Sequence, residues 1–317
     1  MNVHLHRGIS PAPMVLVLSI GLLAGGRAEA FSPAINVALD TTANNAAPWK
    51  VARAVCPFGQ SVLGGGAVIS GGQGEVVIQA AFPTHDDSLG QDVYIVKAAA
   101  IENSAASWSV TAAAYCTPST VTTKVLESSL FDSTPIKKVT IQCPYPLKVV
   151  GMGGELSKRD YDHPTNDPET IPRPGDRGVG LAFQGFDVNA GLTAVTAYAV
   201  EEAAALDPDY DYKGDWKLVA FATCASEAYF GGLERRSSRV TGGDIYDPEL
   251  TVSISCSPGK KLMAIGDRIA DFDMGQWFIH RFFRLNFVQQ TAIGKAYLSQ
   301  LGDIWATETT SILCVDN

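Results

Sequence analysis

Val139-Thr-Ile-Gln-Cys143-Pro-Tyr-Pro146-Leu-Lys-Val149-Val-Gly151-Met-Gly153-Gly154 reads as a strand ending on a cysteine, a tight turn, and a second strand broken by glycine. The same order occurs at Val51-Ala-Arg-Ala-Val-Cys56-Pro-Phe-Gly59 with Val62-Leu-Gly-Gly-Gly66. It occurs again at Val252-Ser-Ile-Ser-Cys256-Ser-Pro-Gly259 with Leu262-Met-Ala-Ile-Gly266. Glycine inside a strand marks a bulge or a close approach of two backbones. A phosphate cradle is the other reading of Gly64-Gly65-Gly66, but no helix signal and no Lys-Ser/Thr pair follows it.

Working outward, each copy begins with a short strand-like piece: Ile35 to Leu39, Lys124 to Leu126 and Arg239 to Thr241. Each closes on a run that starts at a tryptophan and ends at a second cysteine: Trp108 to Cys116, Trp216 to Cys224 and Trp305 to Cys314. Between them lie paired runs rich in Val, Ile, Thr and aromatics, as strands require: Val76–Phe82 with Val93–Ala99, Gly180–Phe186 with Thr193–Val200, and Phe278–Phe287 with Ile293–Leu298. Long amphipathic helical patterns are absent, and the alanine-rich piece Glu201 to Leu206 is too short for more than a helical turn. The expected fold is all-β: three pseudo-repeated antiparallel units of about five strands each, arranged with pseudo-threefold symmetry. A β-prism-like body fits first, with a β-trefoil or a sandwich as alternatives. The expected boundaries are 31–118, 119–226 and 227–317, within a single domain spanning 31–317.

Residues 1–30 read as a secretory signal, because His4, His6 and Arg7 precede the apolar run Met14 to Leu23 and the small-residue ending Ala28-Glu-Ala30. That run is shorter than the ~20 residues a bilayer-spanning helix needs. Secretion or a periplasmic location follows, and with it an oxidising compartment. All six cysteines lie beyond the signal, so a disulfide framework is expected, and six cysteines allow 15 pairings. Self-contained copies select one pairing: Cys56 with Cys116, Cys143 with Cys224, and Cys256 with Cys314. Zinc ligation is the weaker reading, since no two cysteines are close in sequence.

The formal net charge is −9. Removing Arg7, Arg27 and Glu29 with the signal takes away two positive charges and one negative, which leaves −10. Nucleic acid and anionic membrane surfaces are therefore disfavoured as partners, and the densest basic stretch, Arg235-Arg236 with Arg239, is short.

Function is sought where the copies differ. The cysteine spacings are 60, 81 and 58, so the second copy carries an insertion. Two polar, acidic stretches fall there, Ser157 to Gly178 and Asp207 to Asp215. In the second stretch Asp207, Asp209, Asp211 and Asp215 alternate so that several oxygens could converge on one hard cation, as in calcium loops. Calcium is the one cofactor the sequence points to. The plain alternative is an acidic loop held out in water.

In the third copy, Trp277-Phe-Ile-His-Arg-Phe-Phe-Arg-Leu-Asn-Phe287 is the most aromatic segment. Trp277, His280, Arg281 and Arg284 combine ring faces with hydrogen-bond donors, a composition suited to stacking and bonding a sugar or gripping a protein surface. Equally, the arginines of a strand buried on both faces could be paired with nearby acids. His85, His163 and His280 are one per copy but not at equivalent positions, which argues against a shared metal site.

No Gly-x-Ser-x-Gly elbow is present, and the cysteines are committed to disulfides, so nucleophilic catalysis finds no support. The expected function is a secreted, disulfide-stabilised, lectin-like binding protein without catalytic activity, whose ligand is an extracellular carbohydrate or a cell-surface protein. Two alternatives remain: a secreted hydrolase using paired carboxylates such as Asp86 with Asp87 or Asp271 with Asp273, and a structural surface or matrix protein.

Overall fold

The computed structural model describes residues 35–72, 76–100, 106–118, 122–158, 181–201, 215–242, 249–270, 279–286, 291–298 and 306–316. It is all-β and antiparallel, and the only helical element among these residues is a short 3-10 turn, Glu227–Tyr229. The first cystine-bounded segment contributes β1 (Asn36–Thr41), β2 (Trp49–Val55), β3 (Gln60–Ser70), β4 (Val76–Asp86), β5 (Gln91–Ala100) and β6 (Ser109–Pro118). The second contributes β7 (Thr122–Ser128), β8 (Ile136–Gln142), β9 (Lys148–Lys158), β10 (Leu181–Val188), β11 (Ala194–Glu201) and β12 (Trp216–Ala225). The third contributes β13 (Glu234–Gly242), β14 (Glu249–Ser255), β15 (Lys260–Ala270), β16 (Ile279–Asn286), β17 (Thr291–Leu298) and β18 (Ala306–Asp316). The sequence estimate of about five strands per segment is thus corrected to six, because the short leading piece is itself a full edge strand.

Pairing follows one scheme within each segment. The sixth strand lies between the first and third, and the fifth between the second and fourth. Neighbouring segments are then sewn together. The antiparallel bridge of Ala80 to Glu155 joins β4 to β9, making the six-stranded sheet I, β2-β5-β4-β9-β12-β7. The bridge of Gly185 to Arg268 joins β10 to β15, making sheet II, β8-β11-β10-β15-β18-β13. The other two sheets, β1-β6-β3 and β14-β17-β16, have three strands each, and β16 lies against β3.

Three disulfides close the segments, Cys56–Cys116, Cys143–Cys224 and Cys256–Cys314, with Cα separations of 5.7, 5.7 and 5.8 Å. They match the pairing the sequence selects, and each ties the end of a second strand to a sixth strand. All three lie toward one end of the molecule. The amide of Val62 donates to Asp92 Oδ2 and that of Val149 to the Leu192 carbonyl, so β3 and β9 start beside the β4–β5 and β10–β11 turns. The antiparallel joins of β4 to β9 and of β10 to β15 then make β3, β9 and β15 run the same way.

Glycine follows the bulge in the first two segments, at Gly64 and Gly151, and Ala264 takes that place in the third. Register slips between Val62 and Gly64, opposite Val149 and Gly151, and between Leu262 and Ala264 leave Leu63, Val150 and Met263 as the extra residues, each fully buried. The bulged strands touch one another where no side chain fits. A methyl group on Gly151 would overlap the carbonyl oxygen of Leu63, and one on Gly64 would lie 2.6 Å from the Ala264 Cβ. The main core surrounds this contact and includes Trp108, Trp216, Tyr94, Phe186, Met152 and Leu218.

A second device was not visible in the sequence. Lys50 is 5% exposed and donates from Nζ to the carbonyls of Ala43, Asn45 and Trp108 and to Asn45 Oδ1, at 2.6, 3.0, 2.5 and 2.7 Å. Lys137 does the equivalent with Asp132 and Leu130, and each ammonium sits 4.7 Å from the ring centroid of the tryptophan that opens the closing strand. Each lysine therefore pins the loop between the first two strands to Trp108 or Trp216. The corresponding residue in the third segment is Leu250, also buried.

Candidate functional site

The two six-stranded sheets differ on their outward faces. On sheet I the centre of that face is apolar. Phe82 and Phe221 stack with centroids 4.5 Å apart, and Ala80, Val93, Ile95 and Val219 complete a second small core. An ion pair of Lys97 Nζ with Glu155 Oε1 at 2.8 Å borders it.

Sheet II is built from the same strand positions with opposite chemistry. Strand alternation turns Val195, Ala197 and Ala199 of β11 into the core and Thr196 and Tyr198 outward. From the remaining strands come Lys138 and Thr140 of β8, Asp187 of β10, Arg268 of β15, Thr309 and Ser311 of β18, and Arg235, Ser237 and Arg239 of β13, whose registers align them across the sheet. The Arg268 guanidinium lies 4.0 Å from the Tyr198 ring centroid, and Lys138 Nζ lies 5.6 Å from the same ring. Arg235 donates to Asp187 Oδ1 at 3.3 Å, to Ser311 Oγ at 3.3 Å and to Ser237 Oγ at 3.3 Å. The hydroxyls of Thr140 and Thr196 share a hydrogen bond of 2.9 Å. Lys138, Arg235, Arg239 and Arg268 face one described carboxylate there, Asp187, in a chain whose formal charge is −9. A ring flanked by cations, with hydroxyls and guanidinium donors around it, can stack a sugar ring and bond its polar groups.

Of the residues singled out from the sequence, Asp207, Asp209, Asp211 and Trp277 lie outside the described residues, as do His163, Asp271 and Asp273. Asp215 is half-buried just before β12. His280, Arg281 and Arg284 are on β16, opposite Tyr297, Ala296 and Ile293 of β17. Arg281 therefore takes the register face of Gly294, while His280 and Arg284 take the other. The connections 159–180, 202–214 and 271–278 all join strand ends opposite the cystine end. Among the described residues, no three His, Cys, Asp or Glu side chains gather as metal ligands would.

Asp86 and Asp87 do not form a reacting pair. Asp86 caps the β4–β5 turn by accepting from the amides of Ser88 and Leu89 and from Ser88 Oγ, while Asp87 is fully exposed. The Ser88 hydroxyl holds the Asp86 carboxyl below its ordinary value. His85 donates from Nδ1 to Asp92 Oδ1 at 2.9 Å, and Lys124 of the next segment also bonds Asp92. Burial pushes the Asp92 carboxyl up, but the hydrogen bonds from Lys124 and His85 outweigh it and hold it low. This cluster ties the first segment to the second.

The third segment carries buried acids where the others are apolar. Asp267 and Glu308 are both fully buried beneath Gly294, and Thr310 Oγ1 lies 3.1 Å from Asp267 Oδ1. Counted from the closing cysteine and across the ladder, the first segment has Ala67, Val110 and Ala112 at these places. Sealed from solvent, these two carboxylates are interior groups and not an accessible acid pair.

Comparison with protein-family models gives no match, and comparison with curated proteins gives no relative. Three disulfides in an antiparallel all-β body are consistent with export into an oxidising compartment. No helix among the described residues is long and apolar enough to cross a membrane.

Proposed function

We propose that the chain is an exported, lectin-like binding protein without catalytic activity, built as three cystine-closed β units around a pseudo-threefold axis, and that it engages an extracellular saccharide on the outward face of sheet II. The common pairing scheme of the three segments, and the mutual contact of their bulged strands at Gly64 and Gly151, support the threefold arrangement. Removal of residues 1–30 on export is part of the same reading.

The observation that carries the ligand assignment is Tyr198, held between Arg268 and Lys138 and flanked by Thr196 and Thr140 on a rigid sheet. Rigid sheet positions keep the ring and donors in place before the ligand arrives, so little ordering entropy is lost on binding. The mature chain applied to a glycan array, with and without calcium, should retain a defined set of saccharides. Tyr198→Ala should lose them while melting at the same temperature. Retention of no glycan, or turnover of chromogenic glycosides or esters, would overturn the assignment.

A further inference from the structure

Cations scattered through the sequence converge on one face of this acidic chain, and that asymmetry says more about the ligand than the presence of a ring does. Lys138 comes from β8, Arg268 from β15, and Arg235 and Arg239 from β13, on strands separated in the chain but aligned in sheet II. Lys138 and Arg239 are exposed, while Arg268 and Arg235 are half-buried and held in place by Tyr198 and by Asp187 with Ser311. One carboxylate, Asp187, answers them among the described residues of that face, and Arg235 already engages it. On sheet I the corresponding surface carries Phe82 and Phe221, and its cations Arg53, Lys97 and Lys124 pair with Asp86, Glu155 and Asp92, so the larger excess of positive charge lies on sheet II.

Resting on the proposed saccharide-binding role, we infer that the outward face of sheet II selects anionic polysaccharides, those bearing carboxylate or sulfate groups, over neutral ones. Charge complementarity argues for this occupant. A chain at −9 repels polyanions over most of its surface, and a local cationic face then fixes where and in what orientation such a ligand can dock. Arg235 and Arg268 present planar donors suited to carboxylate or sulfate oxygens, with the hydroxyls of Thr309 and Ser311 on the strand between them and the Tyr198 ring beyond Arg268. The hydroxyl-rich setting and the single ring favour sugar over nucleic acid, which would call for several stacking rings along a groove.

Dextran and dextran sulfate form a matched pair of probes, with polygalacturonate as the carboxylate arm and duplex DNA as the competing polyanion. Binding of the full mature chain to each is measured by interferometry at low and at physiological salt. The expected result is binding of dextran sulfate and polygalacturonate but not of dextran, weakening as salt rises, and weaker binding of DNA. The double substitution Lys138→Ala with Arg239→Ala, both exposed and so neutral to folding, should weaken dextran sulfate by about tenfold or more. Equal binding of dextran and dextran sulfate, lost in Tyr198→Ala but kept in the double variant, would overturn the charge selectivity and leave the saccharide role standing. DNA bound as tightly as dextran sulfate, or self-association of the chain through this face, would also overturn it. Binding of none of the probes and of no arrayed glycan would remove both proposals together.

Discussion

Replacing Gly151 by alanine tests whether the bulged strands meet as tightly as described. The added Cβ overlaps the Leu63 carbonyl oxygen and lies 3.0 Å from the Gly64 amide nitrogen, so its neighbours are backbone atoms in a hydrogen-bonded strand. A side-chain tip could swing away, but β3 is held by its ladder to β6 and cannot move without breaking it. Overpacking a closed interior costs about 1–3 kcal/mol, and a backbone obstacle places this substitution at the upper end of that range. Alanine recovers about 0.5–1 kcal/mol of the entropy that glycine loses on ordering, leaving a net loss of about 2 kcal/mol. For a domain of this size that corresponds to a fall in melting temperature of about 4–8 °C. Gly191→Ala is the matched control, because its added Cβ finds no atom nearer than 3.7 Å and should leave stability within about 0.5 kcal/mol. Calorimetry and denaturant melts of both variants decide the matter. Equal melting of Gly151→Ala and the parent would refute the close contact of β9 with β3.

Lys50→Leu copies the residue found at the corresponding place in the third segment, yet it strips the Ala43, Asn45 and Trp108 carbonyls of their donor. A loss of about 2–3 kcal/mol is expected in urea denaturation, and a neutral result would show that the lysine clamp contributes nothing. The hydrogen bond from Lys137 holds the Asp132 carboxyl down to about 2. A carboxyl that is more acidic in the folded than in the unfolded state stabilises fully above about pH 4, and this contribution fades as the pH falls toward 2. Asp132→Asn should accordingly melt below the parent at pH 6 and converge with it near pH 2. A constant gap across that range would contradict the pairing.

Much of the architecture was legible because covalent and steric demands write directly into sequence. Strand alternation, turn formers after Cys56, Cys143 and Cys256, and in-strand glycines gave the strand order, the bulges and the disulfide pairs. The first strand of each segment was undercounted because β1, β7 and β13 are edge strands with little apolar alternation. The buried lysines were missed, since a lysine two residues before a buried position looks like any surface residue until the carbonyls around it are placed. The candidate site was hidden for a different reason. Lys138, Tyr198, Arg235 and Arg268 become neighbours only through the joins of β10 to β15 and of β8 to β11, and strand pairing between segments leaves no local mark on the chain. The sequence reading that disfavoured polyanions looked for basic residues adjacent in the chain, whereas these adjoin across a sheet. The aspartates of 207–211 and Trp277 drew attention because their signals are local.

Hydrogen–deuterium exchange of the mature chain with and without dextran sulfate measures where a ligand sits. The account predicts slowed exchange over residues 136–142, 194–201, 234–242 and 260–270, which form the sheet II face. Protection confined instead to 202–214 and 271–286, with sheet II unchanged, would contradict it.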